Sequence, residues 1–304
     1  IIFEHIKNIM KVKRGIILAG GMAERLKPIT SIISKHLLPI YNKPMIYYPL
    51  SALMQGGIRD YLIITNPNHL KLYQELLGNG DNLGISIRYK VQKKPEGLPK
   101  AFIIGEQFIN NEPVCLNLGD HIFFGDDVNR LLEKNIINFK KTTIFAYRYK
   151  KSNEYGVINL DKNNKPISII EKPYKPKSDL IVCGLYLYDK NVVELSKTLK
   201  PSKRGELEIS DLNNLYLKNN ALNVEIINKQ NYWIDAGSPD KILQASKLIE
   251  SIEKRKKKYI GFPEIIALKK KYITIRNFTK LIRIYKNNHY GSILNTFLSK
   301  DFKN

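Results

Sequence analysis

Short apolar runs alternate with helical patterns through the first two thirds of the chain, and this alternation is what most constrains the fold. Strand-sized apolar runs that are each followed by a helix are typical of a sheet with parallel strands and helices on its faces. The predicted strands are 14–19, 61–65, 86–91, 114–118 and 142–147, and the predicted helices lie near 44–55, 68–77, 99–108 and 127–134.

From about residue 155 the pattern changes to shorter strands separated by Asn and Pro turns. These strands are predicted at 156–161, 166–171, 182–188 and 224–228, followed or interrupted by helices at 206–217, 239–253 and from about 263 onward. We find no internal repeat and no Pro- or Ser-rich linker, which favours one continuous fold over separable domains. The predicted fold class is therefore α/β, with a Rossmann-like, mostly parallel open sheet, an inserted region that forms one wall of a substrate pocket, and a helical C-terminal appendage.

The chain is strongly basic, with 50 Lys and Arg against 28 Asp and Glu and a formal charge of +22 over 304 residues. Such a balance raises the question of a nucleic-acid partner. However, 40 of the 50 cations are Lys, and they are spread along the chain together with abundant Ile, Asn and Tyr. We interpret the charge as compositional and expect no nucleic-acid partner.

Membrane, disulfide and zinc proteins are poor fits to the sequence. No apolar run approaches the roughly 18 residues of a membrane span, and the N-terminus has no signal-peptide pattern, so we expect a cytoplasmic protein without a membrane partner. Cys115 and Cys183 each lie inside an apolar run without a metal-ligand spacing, which predicts two buried structural thiols.

A glycine pair follows the first predicted strand. Gly20 and Gly21 leave backbone N–H groups free to face a phosphate, and Arg25 adds a guanidinium nearby. The segment has neither the third glycine of a dinucleotide fingerprint nor the Lys-Ser/Thr of a P-loop. It therefore predicts a nucleotide site of a different kind.

The motifs around this loop resemble those of the sugar nucleotidyltransferases, and in particular of members that transfer a thymidylyl group. The family's opening, GIILAGGxGTRLxPxT, is followed by SKQLLPIYDKPMIYYPLS, and residues 34–50 match the second block with His36 and Asn42 as changes. Further matching blocks occur in order at 89–98, 118–123, 155–157, 171–173, 184–186, 204–211, 233–237 and 263–267.

The resemblance implies transfer of a thymidylyl group from dTTP to glucose 1-phosphate, giving dTDP-glucose and pyrophosphate with Mg²⁺ as the cofactor. It also implies the first step toward dTDP-L-rhamnose and cell-envelope polysaccharide, and a homotetramer. Alternatives left open are a uridylyl- or adenylyltransferase and a nucleotide-binding relative with reduced activity. The implied divisions are an extension at 1–13, a nucleotidyltransferase domain at 14–257 and an appendage at 258–304, with nucleotide binding in 14–150 and sugar binding in 151–238.

The resemblance also assigns site residues. Arg25, Lys35 and Lys172 are implied to be catalytic, and Asp120 and Asp235 to bind the metal. Independently of the resemblance, Asp120 ends an apolar strand where ligands of open α/β sheets bind, and two carboxylates opposite a triphosphate suit Mg²⁺. The implied nucleotide-binding residues are Gly20, Gly21, Arg25, His36, Gln92 and Gly97, and the implied sugar-phosphate residues are Tyr155, Gly156, Glu171, Lys172 and Arg204.

Two residues of the phosphate loop depart from the family pattern. Ala23 replaces a glycine, which costs roughly 1 kcal/mol if this position has a positive φ. Glu24 replaces a threonine and weakens nucleotide binding unless it turns outward toward Lys27. Upstream, residues 1–9 match no block, and Met10 resembles the family's start, so we expect either an extended gene start or a loosely attached extension.

Overall fold

The structure, a computed structural model, describes residues 10–163 and 165–302. Residues 1–9 of the predicted extension at 1–13 lie outside the described residues. The last four residues of that extension contact the body: Met10 forms a β-bridge with Phe139, and the Val12 side chain is fully buried.

The strands agree with the pattern of apolar runs, and the predicted α/β fold class is confirmed. The strands are β1 (Arg14–Ala19), β2 (Pro39–Ile40), β3 (Lys43–Pro44), β4 (Asp60–Thr65), β5 (Ser86–Val91), β6 (Val114–Leu118), β7 (His121–Phe124), β8 (Thr142–Arg148), β9 (Gly156–Leu160), β10 (Pro166–Glu171), β11 (Leu180–Tyr188), β12 (Leu222–Ile226) and β13 (Tyr232–Asp235).

Helices pack on both faces of the sheet, and three more helices form the C-terminal end of the described part of the chain. They are α1 (Tyr47–Gln55), α2 (Leu70–Leu77), α3 (Lys100–Ile104), α4 (Glu106–Ile109), α5 (Asp126–Ile137), α6 (Val192–Thr198), α7 (Ile209–Lys218), α8 (Pro239–Lys256), α9 (Pro263–Lys269), α10 (Ile275–Ile284) and α11 (His289–Asp301). None of the helices among the described residues is long and apolar enough to cross a membrane.

The central sheet has the order β10-β9-β11-β6-β1-β4-β5, with β8 pairing β11 and β12 pairing β8. Strands β6, β1, β4 and β5 are parallel, so their carboxyl ends lie at one edge. The inserted region joins through β11, which is antiparallel to β6, β8 and β9. One half of the sheet therefore presents the glycine loop, and the other half forms a wall beside it.

Successive side chains of β1 enter two cores on opposite faces of the sheet. Ile17 belongs to the core shared with α1, α5 and the C-terminal helices, and Ile16 to the core shared with α3, α6 and α7. Cys115 and Cys183 are free and buried, as predicted. The C-terminal helices contribute Phe278 and Phe297, both fully buried, to the first core.

A separate two-stranded ladder was not predicted. Strand β7 pairs antiparallel with β13, with His121 opposite Asp235. The next residue, Ala236, donates its N–H to the Asp120 carbonyl at 2.9 Å. This ladder brings together two acidic residues that are more than a hundred positions apart in the chain.

Candidate active site

A cavity of about 300 Å³ lies at the carboxyl ends of β1 and β6, between the two halves of the sheet. A larger cavity of about 860 Å³ elsewhere is lined by none of the predicted site residues. We place the site in the smaller cavity because titratable groups converge there, which marks a site better than volume does. The predicted residues that line it are Gly21, Arg25, Lys35, His36, Asp120, Tyr155, Gly156, Glu171, Lys172, Arg204 and Asp235.

The glycine loop begins where β1 ends. Ala23 has φ +49° and ψ +45°, so the position that is glycine in the family's motif is left-handed here too. The strained turn is held by the Thr30 hydroxyl, which donates to the Ala23 carbonyl at 2.9 Å. Glu24 turns outward and pairs with Lys27 at 2.8 Å, so its carboxylate is directed away from the cavity.

Lys35 lies beside both the loop and an acidic residue. Its Nζ would be 4.0 Å from a Cβ built on Gly21, and it donates a hydrogen bond to Asp120 Oδ2. Burial by itself would raise the pKa of Asp120, but the Lys35 ammonium, through its charge and its hydrogen bond, holds that pKa well below its usual range. Asp120 is therefore ionised and available as an oxygen ligand.

Three ligand-type side chains form one cluster, made of Asp120, His121 and Asp235. Their candidate ligand atoms all lie within 4.8 Å of one another. His121 Nδ1 lies 2.7 Å from the Cys183 carbonyl oxygen, which can only accept, so this contact requires a proton on Nδ1, and in the neutral ring Nε2 then carries the lone pair that could bind a metal. Two carboxylates and an imidazole are a donor set that suits a divalent cation.

The bulge in β11 makes room for this histidine. The register of β11 against β8 shifts between Val182 and Tyr186, around Gly184 with φ +76°. A Cβ at Gly184 would lie 2.3 Å from His121 Nδ1, so the approach requires glycine.

Asp235 is held by two donors on one oxygen. The Tyr155 hydroxyl donates to Asp235 Oδ2 at 2.8 Å, and Lys241 Nζ donates to the same oxygen at 3.0 Å. Burial opposes ionisation of Asp235, but the Lys241 ammonium and the Tyr155 hydrogen bond keep its pKa below the usual value. The other oxygen, Oδ1, faces Gly237, where a Cβ would be 2.8 Å away.

The opposite wall holds the predicted sugar-phosphate residues. Glu171 Oε2 accepts from the Ser210 hydroxyl at 2.6 Å. A Cβ at Gly156 would lie 3.0 Å from that hydroxyl, so glycine keeps this wall open. The two cations, Lys172 and Arg204, are exposed at the rim of the cavity.

Arg204 is oriented by a carboxylate. Its guanidinium donates to both oxygens of Glu208, at 2.9 and 2.8 Å for the same nitrogen, while the Ser202 hydroxyl also donates to Glu208. A guanidinium fixed in this way is preorganised for an anion arriving from the cavity.

Of the predicted nucleotide-binding residues, Gly20, Gln92 and Gly97 are not among the residues that line the cavity, whereas His36 lines it with a buried ring. Gln92 is buried, with Oε1 3.4 Å from the Cβ position of Gly20. Gly97 has φ +96°, and a Cβ there would be 2.0 Å from the Leu207 carbonyl oxygen, so the backbone contact alone requires glycine. The His36 ring is buried against the Ser34 and Tyr73 hydroxyls, and burial lowers its pKa to about 3.

Some groups in the site have no role in the sequence-based assignment. One is His121, although its position directly after Asp120 is a usable signal. Lys241 gave none, because a lysine in the first turn of a helix is ordinarily a surface residue. Glu208 and Ser210 lie within the matching block 204–211 but were given no role.

Comparisons with known proteins show the family to which the chain belongs. Residues 14–252 match the family model described as Nucleotidyl transferase, and the chain belongs to that family. Within it, the chain is similar over nearly its whole length to glucose-1-phosphate thymidylyltransferases. The Neisseria meningitidis serogroup A enzyme is 46% identical to this chain, and the match covers 94% of this chain and 100% of the relative. The Mycolicibacterium smegmatis enzyme is 41% identical, and the match covers 95% of this chain and 100% of the relative.

Solved structures show the same relationship. A Bacillus anthracis protein assigned as a glucose-1-phosphate thymidylyltransferase, in complex with a sucrose, superposes with a TM-score of 0.71 at 40% identity. The match covers 77% of this chain and 94% of that one. A UDP-glucose pyrophosphorylase complexed with UDP-glucose, at 24% identity and a TM-score of 0.70, shares the fold.

Proposed function

We propose that the chain is a nucleotidyltransferase that moves a thymidylyl group from dTTP to glucose 1-phosphate. The observation that supports this most directly is the convergence of the glycine loop, Lys35 and the Asp120–Asp235 pair on one cavity, facing two rim cations. Relatives of this name match along nearly the whole chain.

The proposed reaction is an in-line displacement. A phosphate oxygen of glucose 1-phosphate forms a bond to the α-phosphorus of dTTP, the bond from that phosphorus to the bridging oxygen breaks, and pyrophosphate leaves with the electron pair. The attacking oxygen is already anionic, so no general base is needed. The protein's task is to align the two substrates and neutralise charge.

The residues divide this task between the two walls. We propose that Gly20, Gly21 and Arg25 hold the triphosphate while Lys35 neutralises the charge that develops on pyrophosphate. We assign the sugar side to Tyr155, Gly156, Glu171, Lys172 and Arg204. We assign the thymine edge to Gln92 and Gly97, and we keep His36, which lines the cavity, as a further nucleotide-binding residue.

We propose that Asp120 and Asp235 hold Mg²⁺, with His121 beside them. In the structure each carboxylate already pairs with a lysine ammonium, Lys35 or Lys241, which is what a site built for a cation would do. A metal held by these residues would supply positive charge that offsets the negative charge of the phosphates.

Substrate identity is tested by pyrophosphate release with each nucleoside triphosphate and glucose 1-phosphate. We expect a Mg²⁺-dependent reaction with dTTP preferred. A preference for another triphosphate by more than about tenfold, roughly 1.4 kcal/mol, would contradict the thymidylyl assignment.

We further propose a homotetramer that works in the cytoplasm, where nucleoside triphosphates are available, and that supplies dTDP-glucose for dTDP-L-rhamnose and cell-envelope polysaccharide. Light scattering tests the assembly: we expect four times the chain mass of 35.1 kDa.

A further inference from the structure

Both carboxylates proposed for the metal are neutralised by a lysine, but the two lysines have different surroundings. Lys35 faces the glycine loop and lines the cavity. Phosphate oxygens of a bound nucleotide can therefore replace Asp120 as the partner of the Lys35 ammonium. Lys241 approaches Asp235 from the first turn of α8 and is not among the residues that line the cavity. Lys241 instead meets the cavity through Asp235, Glu154 and Tyr155, which do line it.

Lys241 does have a second acidic partner. Its Nζ lies 3.0 Å from Asp235 Oδ2 and 3.3 Å from Glu154 Oε2, and it also donates to the Tyr155 hydroxyl at 2.8 Å. The side chain is 21% exposed, and its ammonium is 5.4 Å from the centre of the Tyr155 ring. Moving off Asp235 would leave the ammonium still paired with Glu154 and close to that ring.

We propose that Lys241 is a built-in counterion of Asp235, which neutralises this carboxylate in the metal-free enzyme and withdraws toward Glu154 when a divalent cation binds. Lys241 is then a positioning residue that acts through Asp235 and sets the metal concentration that the enzyme requires. The inference rests on the proposed metal site.

The sign of the effect separates this role from a structural one. A lysine that competes with the metal lowers the affinity for divalent cations, because two positive charges a few ångströms apart repel each other. A lysine that only holds Asp235 in place would raise the affinity. Removing the ammonium must therefore tighten metal binding if Lys241 is a competitor.

The test is a titration of the nucleotide-free, full-length protein with Mn²⁺, followed by electron paramagnetic resonance. We expect Lys241→Gln to bind Mn²⁺ about tenfold more tightly than the wild type, an order of magnitude set by the loss of one nearby charge. Lys241→Arg should stay near the wild type. The matched control, Lys247→Gln, removes the same charge from an exposed position on α8 and should shift the affinity less than about twofold.

A variant of Glu154 tests whether the Lys241 ammonium moves toward this residue when the metal binds. Glu154→Gln should weaken Mn²⁺ binding in the wild type but have little effect in the Lys241→Gln background, because its role depends on receiving the ammonium. Equal weakening in both backgrounds would show a simple long-range charge effect and overturn the withdrawal. Unchanged or weaker binding in Lys241→Gln would overturn the counterion role itself.

Two further variants separate this inference from the metal site. If Asp120→Asn and Asp235→Asn abolish Mn²⁺ binding while Lys241→Gln changes nothing, the metal site stands and the Lys241 role is wrong. If both variants bind Mn²⁺ like the wild type, or no saturable binding occurs, the metal site and this inference both fail.

Discussion

At the scale of single residues, the left-handed position in the glycine loop is occupied by an alanine. Ala23 has φ +49°, a left-handed conformation that glycine adopts freely and that the alanine Cβ makes unfavourable. The turn persists because it is fixed elsewhere, by the Thr30 hydroxyl and by the backbone bond from Leu26 to the Ala23 carbonyl. The strain is thus local and removable.

We expect Ala23→Gly to raise the free energy of unfolding by up to about 1 kcal/mol, because glycine adopts a positive φ without a Cβ clash. Urea denaturation measures it. Ala245→Gly is the control, since the same change inside α8 should destabilise by about 1 kcal/mol or more. A loss of stability in Ala23→Gly would show that the loop does not hold this conformation in solution.

Asp120 is the residue on which the proposed chemistry depends most. We expect Asp120→Asn to lower the rate of pyrophosphate release by about 100-fold or more, because the amide cannot neutralise the metal charge. The melting temperature should change by only a few degrees. Asp179→Asn is the control, since Asp179 is also ion-paired, with Arg148, but is half exposed on the surface. A rate near that of the wild type at saturating Mg²⁺ would remove Asp120 from the metal site.

At the scale of elements, the sequence predicted well what depends on local pattern. Strands β1, β5 and β6 have the predicted bounds because each is a continuous apolar or alternating run with clear ends. Helix α7 begins at Ile209 and not at 206, because the preceding Leu207 donates its N–H to the Glu96 carbonyl and pairs with Gly97. That contact is between distant segments, and no local pattern shows it.

The β7–β13 ladder and the β11 bulge could not be predicted from local pattern either. Each depends on a partner far along the chain: Asp235 for His121, and His121 for Gly184. The resemblance therefore assigns both aspartates to the metal site, and the fold shows that His121 lies close to both of them.

The bulge gives a prediction with an internal control. Gly184 and Gly205 both have φ +76°, but a Cβ at Gly184 meets His121 while one at Gly205 has nothing within 4 Å. We expect Gly205→Ala to cost about 1 kcal/mol of stability from backbone strain. Gly184→Ala should cost clearly more and weaken Mn²⁺ binding, since His121 must move. Equal costs in thermal unfolding, with unchanged Mn²⁺ affinity, would mean that the bulge does not position the histidine.

At the scale of the whole molecule, the site lies between the parallel half of the sheet and the wall joined through β11. Its position was predictable, because ligands of open α/β sheets bind beyond the carboxyl ends of the strands. The full set of residues in the site was not predictable, because Lys241 reaches Asp235 from α8, the helix that follows the last strand. The C-terminal helices lie farther from this chemistry and pack on α1.

One buried ion pair joins these outer parts to the body. Lys43 Nζ, on β3, lies 2.9 Å from Glu253 Oε1 on α8 and 4.1 Å from the centre of the Phe262 ring, just before α9. The Lys43 side chain is fully buried, and burial lowers its pKa to about 8 despite the raising effect of Glu253. Three segments that are distant in sequence thus meet at one ammonium.

We expect Lys43→Met to destabilise the protein by about 3–5 kcal/mol, because the buried Glu253 carboxylate then has no cation. The double variant Lys43→Met with Glu253→Leu should recover most of that loss, since it leaves no buried charge unpaired. Lys254→Met is the control: its pair with Glu250 on the same helix is largely exposed, so its loss should cost less than about 1 kcal/mol. Urea denaturation of the four proteins gives the comparison. If the double variant is as unstable as Lys43→Met, the cost comes from lost packing around Phe262 and not from the unpaired charge.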